Sequence, residues 1–200
     1  MLDRFITEFD KGLRTLLAPA QDSRPYPGNT IEEQLSDAKV KRHSAALMRI
    51  NYSGQVCAQA LYSGQFISAR NPDTAANEET GHLAWCEKRF KELGSHTSVL
   101  NPFLYVSSFS FGLLAGSLGN KWNLGFLAET KKQAGKHLDE HLEKLSGQDL
   151  KSRAILKKMQ ADEATYANNA IAQGAAELPL PVRTAMRLFS KIMTTTTYYL

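Results

Sequence analysis

The sequence predicts an all-α protein: a four-helix bundle with one long crossover, plus short N-terminal and C-terminal helices. Three observations predict it. No segment alternates apolar with polar residues or carries the Val/Ile/Thr-rich run of a strand. Turn signals at Asn71-Pro72, Gly94, Asn101-Pro102, Gly119-Asn120 and Ser146-Gly147 instead divide the chain into helix-length segments. One connection, from the second long helix to the third, takes about thirty residues where the others are short, as a crossover between two helical hairpins must.

Met1–Leu17 places Leu2, Phe5, Ile6, Phe9, Leu13, Leu16 and Leu17 on one side of an amphipathic helix. Ala18–Asn29, with three prolines and a glycine, reads as an extended loop. The first core helix is expected from about 35 to 69, stopped by Asn71-Pro72, and the second over 73–93, with Asp73 or Thr74 as N-cap and Gly94 past its end. Asn101-Pro102 opens the crossover segment Phe103–Leu118. The third and fourth core helices are expected over 123–145 and 149–174, and Leu178-Pro-Leu-Pro181 starts a last helix running towards Tyr199. A length of 200 residues suits one domain spanning 1–200 with a full core.

Charge and cysteine usage narrow the function classes. Lys and Arg total 24 against 20 Asp and Glu, and the excess is spread along the chain, so a nucleic-acid surface is not expected. Cys57 and Cys86 form no metal-binding pattern and read as buried thiols in a reducing compartment. Residues 1–17 lack a continuous apolar run, so no secretory signal is expected, and no stretch is long and apolar enough to span a bilayer. The expectation is a cytoplasmic protein, open to lying against a membrane.

Di-iron carboxylate bundles take one Glu from one helix and a Glu-x-x-His from the next, twice over. Residues i and i+3 share a helix face, so a carboxylate and an imidazole can meet the same metal pair. Glu79-Thr-Gly-His82 is such a pair. It stands within a series of blocks: Gly54-Gln-Val-Cys-Ala-Gln-Ala-Leu-Tyr-Ser-Gly-Gln65, Glu78-Glu-Thr-Gly-His-Leu-Ala-Trp-Cys-Glu87, Leu124-Gly-Phe-Leu-Ala-Glu-Thr-Lys-Lys-Gln133, His137-Leu-Asp-Glu-His-Leu142, Met159-Gln-Ala-Asp-Glu163 and Leu178-Pro-Leu-Pro181. From about Leu2 to Tyr199 this series resembles the bacterial demethoxyubiquinone hydroxylases of ubiquinone biosynthesis. The resemblance implies a ferritin-like di-iron monooxygenase fold and two irons per chain, with NADH as electron donor. It also implies a polyprenyl benzoquinone or benzoquinol lipid as substrate, peripheral association with the inner face of the cell membrane, and possible partners in a ubiquinone-biosynthesis complex.

Carried over position by position, the implied ligand set is broken. Glu79, His82 and Glu163 keep the family's residues, whereas Gln55, Lys131 and Tyr166 stand at the other three of six ligand positions, and Gly81 replaces a usual Asp. Gln55 offers only a neutral amide oxygen. Tyr166 ligates only as a phenolate, against an ordinary pKa near ~10. Lys131 has no lone pair and repels a dication. Glu129 and His137 are rotated roughly 200° and 240° around the helix from Lys131, so neither fills its place without a register shift or π-bulge. At most one iron is therefore expected, held by Glu79, His82 and Glu163. The first reading is a chain that binds quinone or assists assembly without hydroxylating; the alternative is an active demethoxyubiquinol hydroxylase with an atypical iron site.

If Lys131 faces Glu79 and Glu163, its ammonium can replace the irons as counter-charge, with Gln55 and Tyr166 completing the hydrogen bonds. The aromatic-rich crossover reads equally as core or as a membrane- or prenyl-facing surface. Tyr62 and Trp85 read as core aromatics. His137 and His141, set among Lys132, Lys136, Asp139 and Glu140, read as an exposed polar face.

Overall fold

The structure, a computed structural model, describes residues 2–21, 24–68 and 79–200, the side chain of Glu79 excepted. Among the described residues there are seven helices and no strand: α1 (Leu2–Leu17), α2 (Ala38–Ser68), α3 (Glu79–Glu92), α4 (Asn101–Ser117), α5 (Asn120–Lys144), α6 (Leu150–Ala172) and α7 (Leu180–Tyr199). The all-α expectation holds, and the arrangement is consistent with a ferritin-like bundle. The stop at Asn71-Pro72, the caps at Asp73 or Thr74 and the end of the first core helix at Ala69 lie outside the described residues.

Local chemistry explains the boundaries. α2 begins three residues later than expected because Asp37 caps it, its Oδ1 accepting from the backbone N–H groups of Lys39 and Val40 at 2.7 and 3.1 Å. Gly94, at φ 75°, closes α3, and its N–H donates to the carbonyl of Lys91 at 2.9 Å. α6 starts behind Asp149, whose carboxylate accepts from Ser152 N. α5 starts at Asn120, three residues earlier than expected, directly after Gly119 at φ 96°.

α2 is the central helix, packed by α3, α4, α5 and α7. The crossover is itself a helix, α4, pressed against α2 along a seam of glycines. A Cβ on Gly112 would fall 2.0 Å from the Leu61 carbonyl oxygen, and one on Gly64 2.2 Å from that of Phe109. Its opposite side is apolar and exposed at Phe103, Val106 and Leu114, while Leu104 and Tyr105 are buried, so one face of the segment belongs to the core and the other is an exposed apolar surface. The main core gathers Met48, Val56, Leu83, Cys86, Phe90, Ile155, Leu156 and Met159. Cys86 is buried, but Cys57 is only half-buried, a departure from the expectation for both thiols.

Beside that core Arg89 is fully buried, its guanidinium reaching Glu33 at 2.6 Å, Asp149 at 2.8 Å and Glu92 at 3.1 Å. The fork satisfies a carboxylate on each side and ties α3 to the start of α6.

Candidate functional site

Four helices bring the sequence-predicted positions together: Gln55 from α2, His82 from α3, Lys131 from α5, and Glu163 and Tyr166 from α6. Glu79 opens α3, but its side chain lies outside the described residues. Glu163, 1% exposed, is the hub. Lys131 Nζ is 2.9 Å from Glu163 Oε2, His82 Nδ1 is 3.4 Å from Glu163 Oε1, and Gln55 Nε2 donates to Glu163 Oε1 at 3.5 Å. The Lys131 ammonium also lies 4.8 Å from the ring centroid of Tyr166 and 5.5 Å from that of Tyr62, within cation–π range of both. Burial pushes the Glu163 carboxyl up, but hydrogen bonding from His82 and the Lys131 charge outweigh it and hold the acid below the usual carboxylate range.

Asp162 supplies what Gly81 cannot. Its Oδ2 lies 3.0 Å from His82 Nε2, so both imidazole nitrogens face carboxylates. Asp162 also meets Lys158 and, at 3.4 Å, Arg24, whose guanidinium lies 4.6 Å over Trp85. Burial raises this acid and the bonds from Lys158 and His82 lower it, with a net depression. The sequence signal for this partner is its place directly before Glu163 on α6.

The chemistry of the donors decides the fit to two irons. The described side chains at the six positions offer one carboxylate, one imidazole, one amide and one phenol, and the fifth is an ammonium in ion-pair contact with that carboxylate. Two dications beside a buried ammonium do not fit this donor set. Among the described residues no group of three or more His, Cys, Asp or Glu side chains is arranged to hold a metal ion. Glu129 is turned away from the site, as its place on α5 requires, with Oε1 bonded to Gln133.

A cavity of about 350 Å³ runs from this cluster between α2, α5 and α7. Its walls are mostly apolar, with Ile50, Leu61, Phe126, Met159, Met186 and Met193 among them. The methionines give a wall that adapts to irregular apolar ligands. Phe111 of α4 lines the cavity and is 51% exposed, so the cavity reaches the surface beside α4, where Phe111 meets Phe189 edge-to-face at 5.8 Å. Lys131, Glu163, Gln55 and Tyr62 form one end. Tyr62 and Trp85 are buried as expected, but the Tyr62 hydroxyl has no hydrogen-bond partner among the described residues and stands on the cavity wall. It is seven residues after Gln55, a spacing that puts both on one face of α2.

The expectation of an exposed polar face at His137 and His141 is overturned. Both line the cavity; His141 is 3% exposed and bonded to Asn51, and His137 Nε2 is 2.7 Å from Ser190 Oγ of α7. Lys131, Ala134, Leu138 and His141 share one face of α5 at i, i+3, i+7 and i+10, so His141 follows Lys131 inwards despite its charged neighbours.

Residues 42–197 match the family Ubiquinone biosynthesis protein COQ7. The chain is 54% identical to the 3-demethoxyubiquinol 3-hydroxylase of Nitrosomonas europaea over 99% of this chain and 98% of that protein. It is 53% identical to the protein of the same name from Aromatoleum aromaticum over 99% of each, and 53% identical to that of Laribacter hongkongensis over 100% of each. The family match takes in α2 through α7, including every position of the cluster around Glu163, and the relatives extend it over α1. The chain belongs to the ubiquinone biosynthesis protein COQ7 family, the demethoxyubiquinone hydroxylases that its sequence blocks resemble.

Proposed function

We propose that this chain, acting as one helical domain, binds a polyprenyl benzoquinone or benzoquinol of ubiquinone biosynthesis without hydroxylating it, and serves as a binding or assembly component. The observation that carries this reading is the 2.9 Å ion pair between Lys131 Nζ and Glu163 Oε2, at a position where the family pattern has a carboxylate. The ammonium takes over the charge balance of the buried acid, which leaves the cluster without the anionic ligands that two irons need. The cavity supports retention of the lipid: its walls are mostly apolar, and one end holds Lys131 and Tyr62, donors suited to a ring oxygen. Relatives at this identity carry the name 3-demethoxyubiquinol 3-hydroxylase, which points to the same ring chemistry for the ligand.

Peripheral membrane association is part of the reading. No helix of the described residues is long and apolar enough to cross a membrane. α1 packs inwards through Glu8, Gly12 and Thr15 and turns Leu2, Phe5, Ile6, Phe9, Leu13 and Leu17 outwards. Arg4, Lys11 and Arg14 are balanced on the same helix by Asp3, Glu8 and Asp10, so that face suits the surface of the inner leaflet through its apolar side chains rather than through charge.

The test is iron per chain after anaerobic loading with ferrous iron and desalting, followed by NADH-dependent conversion of demethoxyubiquinol. Close to zero iron, no conversion and co-purified polyprenyl quinone are the expected results. Two tightly held irons with turnover would overturn the reading. One iron with turnover would favour the alternative, an active hydroxylase with iron at Glu79, His82 and Glu163.

A further inference from the structure

The cavity has a second polar end that the ligand cluster does not use. α2 and α5 run antiparallel, with Tyr62 beside Lys131 at one end and Asn51 beside His141 at the other. Ten residues of α5 separate Lys131 from His141, about 15 Å along the helix. Asn51 and His141 are 7% and 3% exposed, and both line the cavity.

His141 Nδ1 lies 2.8 Å from Asn51 Oδ1. Burial, then the neighbouring His137, Lys144 and His43, push the imidazole pKa down to about 3, so the ring is neutral at physiological pH. A neutral ring that donates from Nδ1 keeps Nε2 as an acceptor. The same bond leaves Asn51 Nδ2 as a buried donor with no partner among the described residues. Turning the amide over only exchanges the roles, leaving Oδ1 as the acceptor and Nε2–H as the donor. Either way the pair offers the cavity one donor and one acceptor, both uncharged. The Lys131 end is different in kind: it is charged, and because the Glu163 oxygens are already engaged by Lys131, His82 and Gln55, the ammonium and the Tyr62 phenol stand there chiefly as donors.

Quinone carbonyls only accept hydrogen bonds, whereas quinol hydroxyls both donate and accept. We propose that Asn51 and His141 form a second head-group station that holds a benzoquinol ring by its hydroxyls, while the Lys131 end holds the oxidised ring by a carbonyl oxygen. The two ends are too far apart for the oxygens of one ring, so they are alternative registers for it. This inference rests on the quinone-lipid reading of the cavity.

The test is anaerobic calorimetric titration of the full chain in detergent with 2,3-dimethoxy-5-methyl-6-decyl-1,4-benzoquinone and, separately, with its quinol. Asn51→Leu is expected to weaken quinol binding roughly five- to tenfold and quinone binding by less than about twofold, the loss expected for a hydrogen bond to a buried site. His141→Leu should follow the same pattern, and Lys131→Met the opposite one. Should Asn51→Leu not fold, Asn51→Ala carries the same comparison. A change that is equal for the two redox forms, or absent, in a protein that binds both would overturn the station and leave the quinone-lipid reading standing. Failure of the unaltered chain to bind either form would remove that reading, and the station with it.

Discussion

Lys131 Nζ and Glu163 Oε2 stand 2.9 Å apart with side chains only 4% and 1% exposed, a buried ion pair at the centre of the cluster. A pair this deeply buried contributes little when compared with an apolar replacement of both residues, but removing one partner strands the other charge. Lys131→Met should therefore lower stability by about 3 kcal/mol, read from urea unfolding. The acid limb gives a second readout. The folded-state pKa of Glu163 is depressed, so its contribution is present above the unfolded carboxyl value and is lost as pH falls through the folded one. Lys131→Met should shrink that acid loss. Unchanged stability and an unchanged acid limb would show that the ammonium bridges nothing.

The proposed misfit to iron rests on three side chains, and it should be reversible through them. Gln55→Glu, Lys131→Glu and Tyr166→His together would bring the six positions to four carboxylates and two imidazoles, the donor count of a di-iron bundle. Iron after ferrous loading should then rise from near zero to about two per chain. Lys131→Glu alone should not achieve this, because Glu163 would face a new anion with Gln55 and Tyr166 still unsuited to the metal. If the triple variant folds and still holds no iron, the ligand positions have been carried onto the wrong residues.

His141 gives a pH prediction of its own. Its folded-state pKa is pushed down to about 3, chiefly by burial, against an unfolded value near ~6.5. For a depressed group the folded state binds fewer protons than the unfolded one. The stability tied to it is complete above the unfolded value and drains away as pH falls from about 6.5 towards the folded pKa. His141→Gln keeps a hydrogen-bonding partner for Asn51 and removes the titration. Thermal midpoints at pH 7, 5 and 4 should fall less steeply in this variant than in the unaltered chain, and parallel slopes would mean that the imidazole is not held neutral.

The sequence carried the helices wherever one residue type settles a boundary. Gly94 ends α3 and Asp149 caps α6 because a left-handed turn and an orphaned N–H each call for a particular side chain. Asp37 does the same for α2, but the apolar Leu35 two residues earlier extended the expected helix past its cap. At the site the family pattern located the cluster around Glu163, and the helical periodicity of α5 alone would have turned His141 inwards with Lys131. The charges flanking it in sequence obscured that, since a line of text places Asp139 and Glu140 beside it while the helix turns them elsewhere. The role of α7 was not legible. Ser190, Met186 and Met193 wall the cavity only because the chain returns along α2 and α5, a relation with no local signature.

The glycine seam between α2 and α4 can be broken by a single methyl group. A Cβ at Gly112 would lie 2.0 Å from the Leu61 carbonyl oxygen, a backbone atom that cannot rotate away, and 2.9 Å from its carbon. Gly112→Ala must therefore push α4 off α2, and overpacking of a buried helix contact costs about 3 kcal/mol. Leu61 and Tyr62 are neighbours on the same turn of α2, and Phe111 and Ser108 of α4 line the cavity, so the displacement reaches the ligand site as well. The thermal midpoint should fall, and co-purified quinone should fall with it. Gly135→Ala, at a helical position where an added Cβ meets nothing within 4 Å, is the control and should leave both unchanged or slightly raise the midpoint. Equal behaviour of the two variants would show that α4 does not sit on α2 at backbone contact.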